Sequence, residues 1–228
     1  MGNVGSTDRD QRGRPDVRGW RLAAGLLLVV AFGLGAVGEA AEPEQFFASV
    51  FLDNKKIGQF HVRINRAETG EIEELRARAS VSILGVKLYE FTHDLTQTWR
   101  AGELQKLRGM ADDNGTKYDL QLTREAQEYS GEVNKKPVTL PIEAFPNSIW
   151  HYGIVNHALL FNEVDLKLLK VTTTQGTDTV ELDKKKIPAD RVTIKGDFAA
   201  TVWFDQHRNF VMAELPIAGR KVLVKRDP

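Results

Sequence analysis

The sequence predicts a mainly β protein, folded as a curved antiparallel meander or a partly open β-barrel with one short internal helix. Two observations predict this class: long segments alternate apolar and polar residues, and turn signals separate those segments. In FHVRI, Phe60, Val62 and Ile64 alternate with His61 and Arg63. Because successive side chains of a strand point to opposite faces, the pattern indicates a sheet with one buried face.

The turn signals recur often enough to favour antiparallel hairpins. Their intervals, often ten to twenty residues, leave little room for the crossover helices that a parallel sheet needs. Asn114-Gly115 is the clearest marker, since both central residues of a type I′ turn need positive φ. The other signals are DNKK at Asp53, ETGE at Glu68, LGVK at Leu84, RAGE at Arg100, VNKK at Val133, TQGT at Thr174 and DQHRN at Asp205.

One segment predicts a helix within the meander: PNSIWHYGIVNHALLFNE, residues 146–163. Asn147 and Ser148 are good N-caps, and the apolar residues that follow recur at spacings near three to five. We expect a short helix from about Ser148 to about Asn156. Its Trp150 side chain is expected to pack into the concave face of the sheet.

The N-terminal segment has the pattern of a secretory signal peptide. Residues 1–21 are polar and contain five arginines, and the next 17 residues, LAAGLLLVVAFGLGAVG, carry no charge. As a helix these would reach roughly 26 Å, slightly short of a bilayer core of about 30 Å. We expect cleavage before Ala41, which removes residues 1–40 and leaves the protein in the periplasm, with a retained membrane anchor as the alternative. Residues 41–228 then form a single antiparallel β domain.

Composition excludes several classes of function. Basic and acidic residues cancel at 31 each, so no positive field favours nucleic acid as a partner. The absence of cysteine excludes disulfides, thiol catalysis, cysteine-ligated zinc and a lipoprotein anchor. No cofactor is predicted.

Four aromatic residues are the candidate ligand-binding residues: Trp99, Trp150, Tyr152 and Trp203. Apolar walls with a few polar tips are typical of small-molecule sites. The alternative is that these side chains fill the core. For Trp203 and its neighbour Phe204, alternation predicts opposite faces of the sheet, so that just one of the two is deeply buried.

The histidines predict no metal site. His151 and His157 lie six residues apart, about one and two-thirds helical turns, and so point to different faces. His61 and His93 lie in strands beside polar residues, where a solvated or hydrogen-bonded imidazole is expected.

No catalytic residue is predicted. Ser148 lies in PNSIW and not in a Gly-x-Ser-x-Gly elbow, and helix capping accounts for it. Glu73 and Glu74 are adjacent in a strand and point to opposite faces, which weakens them as an acid and base pair.

Four segments in order along the chain resemble a family of exported bacterial domains of unknown function: ASVFLDNKKIGQFHVRI, RGMADDNGTKYDL, PNSIW and TVWFDQHRNFVMAEL. The match spans most of residues 48–224. The family is similar in outline to curved-sheet carrier proteins of the cell envelope, which hold acyl chains in a half-barrel. The resemblance implies a fold and supplies no catalytic residues.

These observations favour an exported, non-enzymatic binding or carrier protein for a hydrophobic ligand, a lipid or another apolar small molecule. One alternative is a structural or assembly protein that binds another envelope protein at an exposed strand edge. Another is a hydrolase whose residues converge only in the folded protein.

Overall fold

The computed structural model describes residues 43–83, 86–182, 184–217 and 219–228. The predicted export signal, residues 1–40, lies outside them. Within the described residues, no helix has the length and hydrophobicity needed to cross a bilayer.

The domain consists of strands joined mostly by tight turns. The strands are β1 (Glu44–Leu52), β2 (Lys55–Ala67), β3 (Gly70–Ile83), β4 (Val86–Arg100), β5 (Glu103–Asp113), β6 (Thr116–Arg124), β7 (Glu128–Val133), β8 (Lys136–Pro141), β9 (Phe145–Pro146), β10 (Leu159–Phe161), β11 (Leu168–Leu182), β12 (Lys185–Gly196), β13 (Ala200–Phe204), β14 (Phe210–Ile217) and β15 (Arg220–Arg226).

All fifteen strands form one sheet in the order β8-β7-β6-β5-β4-β3-β2-β1-β15-β14-β13-β12-β11-β10-β9. Every neighbouring pair is antiparallel except β9 and β10, which are parallel. The first and last strands of this order, β8 and β9, follow each other in the chain, from Pro141 to Phe145. Four residue steps span at most about 14 Å, so the sheet must curl until its two edges approach each other. The predicted curved, partly open barrel is confirmed.

The turn chemistry places the hairpins where the sequence predicts them. Asn114 and Gly115 have φ angles of 51° and 93° and join β5 to β6, which confirms the predicted hairpin. Asp53 and Asn54 join β1 to β2 with φ angles of 48° and 63°. Positive φ at both central residues matches the right-handed twist of the strands on either side.

The inner face of the curled sheet holds the main hydrophobic core. In β2, Phe60, Val62 and Ile64 are buried while His61 and Arg63 remain more exposed, which confirms the predicted alternation. The largest fully buried side chains include Phe161, Phe204, Phe210, Leu107, Leu122 and Ile154.

The predicted helix is wrong in type and in length. The segment forms one 3₁₀ turn, Tyr152–Asn156, whose N-cap is His151. Neither of the predicted N-caps, Asn147 and Ser148, caps a helix. The side chain of Asn147 accepts a hydrogen bond from the backbone N–H of Glu163, and the Ser148 hydroxyl donates to the Glu163 carboxyl group. Tertiary hydrogen bonds thus replace the local ones that would start a helix.

The outer face carries a smaller hydrophobic cluster, the outer cluster, formed by Val180, Ala189, Trp203 and Val211. Trp203 and Phe204 do point to opposite faces, and Phe204 belongs to the main core. The expectation that just one of them is deeply buried is wrong, because the outer cluster covers the other: Trp203 is 7% exposed and Phe204 0%.

Candidate binding cleft

A cleft of about 670 Å³ lies on the inner face of the sheet. Its walls come from β1 to β4 on one side and from β14 and β15 on the other, and the segment that follows β9 covers one end. Most of the lining is apolar, including Val50, Leu52, Leu75, Phe91, Leu215 and Val224. Small-molecule sites typically have this character and volumes of about 300–1,000 Å³.

Trp150 fixes the covering segment against the wall of the cleft. Its indole N–H donates to a carboxyl oxygen of Glu73 at 3.1 Å, and its ring meets Phe60 edge-on at a centroid distance of 5.3 Å. The side chain is buried and lines the cleft, which confirms its predicted packing on the concave face.

A buried group of four polar residues, the polar floor, lies at the bottom of the cleft: His93, Gln97, Ser148 and Glu163. The Gln97 amide donates to the Ser148 hydroxyl at 3.0 Å and also to Oε1 of Glu163. The Ser148 hydroxyl donates to that same carboxyl oxygen. His93 and Glu163 reach the cleft, while Gln97 and Ser148 lie behind them.

Burial favours the protonated form of two carboxyl groups on this face, Glu163 and Glu73. It raises the pKa of Glu163 to about 8, against the opposing effect of the hydrogen bonds from Ser148 and Gln97. The pKa of Glu73 is also raised, again chiefly by burial and against the hydrogen bond from Trp150. At neutral pH these two buried carboxyl groups therefore carry little negative charge.

His93 is the most unusual member of the polar floor. It is 4% exposed, and among the described residues nothing forms a hydrogen bond with its Nε2. Burial lowers the pKa of this imidazole to about 4, although a hydrogen bond with the backbone of Glu163 opposes the shift. The expectation of a solvated or hydrogen-bonded histidine is thus wrong for Nε2, because β4 turns this residue inward.

A second polar cluster joins the 3₁₀ turn to β3. Ligand atoms of Glu71, Glu73 and His151 lie within 4.8 Å of one another, which is close enough to surround a cation. However, Nδ1 of His151 accepts a hydrogen bond from the Gly153 N–H at 3.0 Å. The proton of the neutral ring therefore sits on Nε2, which faces Glu73 at 3.8 Å and has no lone pair to offer a metal. We interpret this cluster as structural.

The four predicted aromatic residues occupy different places. Trp150 lines the cleft, whereas Trp99 is buried, stacks on His151 at 4.5 Å and borders a separate depression. Tyr152 is half-buried, and its hydroxyl donates to Asp190 at 3.2 Å. Trp203 belongs to the outer cluster. The structure therefore does not bring the four together, and ligand binding by Trp150 stays a prediction.

Comparison with known proteins identifies the family of the domain and a protein with a similar fold. Residues 49–227 match the domain of unknown function DUF6134. The chain belongs to this family. Its fold is similar to a β-barrel-like protein of domain of unknown function DUF1849 from Brucella abortus, with a TM-score of 0.60 and 10% sequence identity over 81% of this chain and 95% of the other. No functionally curated protein matches the chain.

Two residues of the polar floor of this DUF6134 domain can be recognised in the sequence from their positions in β4. Along β4, residues His93, Leu95, Gln97 and Trp99 share the inward face and are all buried. Two polar residues at inward positions of an alternating strand need buried hydrogen-bond partners. The partners themselves could not be predicted, because Glu163 is 66 residues away from Gln97.

Proposed function

We propose that this DUF6134 domain is a non-enzymatic binding or carrier protein that holds a hydrophobic small molecule in the inner cleft. The observation that carries the proposal is the cleft itself, about 670 Å³ and lined mainly by apolar side chains. Leu52, Val81 and Leu215 line it while remaining only partly buried, and Ile217 is exposed there. Covering such surface gains about 25 cal/mol per Å², so an apolar ligand is the natural occupant.

The polar floor supports binding over hydrolysis. A serine nucleophile needs an adjacent base to take its proton. The Ser148 hydroxyl instead donates to Glu163, whose pKa burial raises to about 8, so its acceptor is a neutral carboxyl group at pH 7. The buried network is suited to rigidity and to ligand recognition.

The strand edges support small-molecule binding over assembly by strand addition. The edge strand β8 contains Lys136, Pro137 and Pro141, and the opposite edge, β9, has only two residues. Short edge strands, lysine and proline are the features that prevent pairing with another chain. Assembly with an envelope protein is thus the less supported alternative.

We further propose that the protein acts in the periplasm after removal of residues 1–40. The support is the arginine-rich start followed by 17 uncharged residues. Intact-mass measurement of periplasmic protein should give a chain that begins near Ala41. Recovery of full-length chain from the membrane fraction alone would replace cleavage with a retained anchor.

The cleft can be tested with a matched pair of variants on β3. Ala79 lines the cleft, and its neighbour Ser80 is exposed on the opposite face. Ala79→Trp should fill the cleft and raise the dissociation constant of an uncharged apolar fluorophore about tenfold or more. A tenfold change corresponds to about 1.4 kcal/mol of binding free energy. Ser80→Trp adds the same side chain outside the cleft and should bind as the wild type does.

Thermal unfolding of both variants serves as the control for folding. If the wild type binds no apolar fluorophore, or if both variants bind equally, the carrier proposal is wrong. Native mass spectrometry of protein purified from its own envelope should show an apolar molecule bound to the wild type and a lower occupancy in Ala79→Trp.

A further inference from the structure

A second cavity, the arginine pocket, borders the cleft at Trp150. Its volume is about 270 Å³. Trp150 lines both cavities, and no other described residue does. The arginines and glutamates of its lining are Arg66, Arg208, Arg226, Glu44, Glu71 and Glu73. The chemistry of this pocket therefore differs from that of the mainly apolar cleft.

Every glutamate of the arginine pocket already has a partner. Arg66 pairs with Glu44 and donates to Glu71 at 2.8 Å. The indole N–H of Trp150 donates to Glu73 at 3.1 Å. Burial raises the pKa of Glu73, so this carboxyl group stays mainly uncharged at neutral pH. Three arginines then face two ionised glutamates, which leaves one positive charge in excess.

The other two arginines have aromatic neighbours and no acidic partner. The guanidinium carbon of Arg208 lies over the Tyr152 ring, 4.9 Å from its centroid, and that of Arg226 lies over Phe46 at 5.2 Å. Both rings also line the pocket. Within the part of the chain that the structure describes, neither guanidinium forms an ion pair. A guanidinium that stacks through its face keeps the N–H donors around its edge available for an anion.

The acidic residues next to these two arginines in the chain are engaged elsewhere. Asp205 accepts hydrogen bonds at 2.8 Å from two backbone N–H groups of the turn between β13 and β14. These bonds hold the turn in which Arg208 adopts a φ of 66°, an uncommon conformation for a residue other than glycine. Asp227 accepts a hydrogen bond from the Ser49 hydroxyl at 2.6 Å. A bound anion would supply the partner that the two arginines lack.

We propose that the arginine pocket binds a phosphate group, whose oxygens accept hydrogen bonds from Arg208 and Arg226. Guanidinium groups match the oxygens of phosphate and of carboxylate in geometry. A carboxylate has only two oxygens, which a single arginine can satisfy, whereas a tetrahedral phosphate group presents oxygens to two arginines at once. The volume lies just below the range for drug-sized ligands, which begins at about 300 Å³, and suits free phosphate or a short phosphate ester. This site is separate from the apolar site proposed in the cleft.

Isothermal titration calorimetry with inorganic phosphate, at constant ionic strength, tests the site. Arg208→Gln and Arg226→Gln should each raise the dissociation constant about tenfold, because each variant loses charge-assisted hydrogen bonds. Arg108→Gln is the matched control, since this arginine is exposed on β5 outside the pocket, and it should bind as the wild type does. Equal dissociation constants in the wild type and both pocket variants, or an equal loss in Arg108→Gln, would overturn the proposal. So would a wild type that binds no phosphate at millimolar concentration.

Thermal unfolding shows whether the variants remain folded. Without phosphate the four proteins should unfold at similar temperatures, because neither pocket substitution breaks an ion pair. Phosphate should raise the Tm of the wild type and of Arg108→Gln, and should leave the Tm of the two pocket variants nearly unchanged. Arg208→Lys keeps the charge but loses the planar fork, so it should bind phosphate more weakly than the wild type and more tightly than Arg208→Gln. A rise in Tm of the same size in all four proteins would indicate a general salt effect and contradict the site.

Two further ligands define the chemistry of the pocket. Tighter binding of glycerol phosphate than of inorganic phosphate would assign the pocket to a phosphate ester, and the reverse order would assign it to the free ion. Acetate bound as tightly as phosphate would overturn the phosphate assignment. The apolar fluorophore should bind equally well to Arg208→Gln and to the wild type, so the pocket and the cleft are tested independently.

Discussion

Trp150 on the inner face and Trp203 on the outer face each donate an indole N–H to a carboxyl oxygen at 3.1 Å. The two acceptors respond in opposite ways. Burial raises the pKa of Glu73, whereas the hydrogen bond from Trp203 lowers the pKa of the partly exposed Asp178. The same hydrogen bond therefore accompanies a neutral carboxyl group inside and a charged one outside.

The difference shows that solvation decides the charge of each face. On the outer face water reaches Asp178, so the outer cluster needs no further polar partners. On the inner face Gln97, Ser148 and Glu163 bond to one another, and no atom of the described residues pairs with Nε2 of His93. A cleft lined mainly by apolar side chains is suited to an apolar ligand, and the outer cluster is suited to stability alone.

The largest loss of stability is expected when an aromatic ring is removed from the core of either face. Phe204→Ala removes a fully buried ring from the main core and should lower the free energy of unfolding by about 3–5 kcal/mol. Trp203→Ala should fall toward the lower end of that range, about 3 kcal/mol, because water can enter the cavity on the outer face. Urea titration measures both. A loss below about 1 kcal/mol for Trp203→Ala would show that the outer cluster is not packed.

The second effect concerns pH and the inner carboxyl groups. The folded pKa of Glu163, about 8, lies above the ordinary value near 4.5, so the folded state binds this proton more tightly than the unfolded state. The stability it confers is complete below pH about 4.5 and is lost as pH rises through about 8. Between pH 6 and pH 9 we expect a loss on the order of 2–4 kcal/mol, to which the raised pKa of Glu73 contributes with the same sign.

Glu163→Gln tests whether ionisation of Glu163 causes the alkaline loss of stability, because glutamine keeps the shape and the acceptor oxygen but cannot ionise. The variant should unfold much like the wild type at pH 6 and should be more stable than the wild type at pH 9. Glu125→Gln, at an exposed position, is the matched control and should follow the wild type at both values. Identical alkaline losses in Glu163→Gln and the wild type would contradict a buried, protonated Glu163.

Local features made most of the fold predictable. Alternation in β2 and positive φ at Asn114 and Gly115 depend on neighbouring residues alone, and both were predicted correctly. The predicted helix failed because Asn147 and Ser148 form hydrogen bonds with Glu163, which local capping rules do not include. The outer cluster was missed for the same reason, since it brings together residues of four strands.

The candidate site was predictable only in part. Trp150 was placed on the concave face from its position in the covering segment, and the structure confirms that placement. His93 and Gln97 could have been found as polar residues at inward positions of β4. The contact of Gln97 with Glu163 depends on the curl of the sheet, so it cannot be predicted from residue spacing.

The smallest loss of stability is expected when one hydrogen bond is removed from each face. Ser148→Ala leaves the buried Glu163 and Gln97 with one partner fewer and should cost about 1–3 kcal/mol, since water cannot replace the hydroxyl there. Asp178→Ala removes the acceptor of Trp203 at a site that water reaches, and its midpoint in a urea titration should shift less than that of Ser148→Ala. Equal shifts would mean that the two faces satisfy their polar atoms equally well, and the contrast between the inner face proposed to bind a ligand and the stabilising outer face would lose its physical basis.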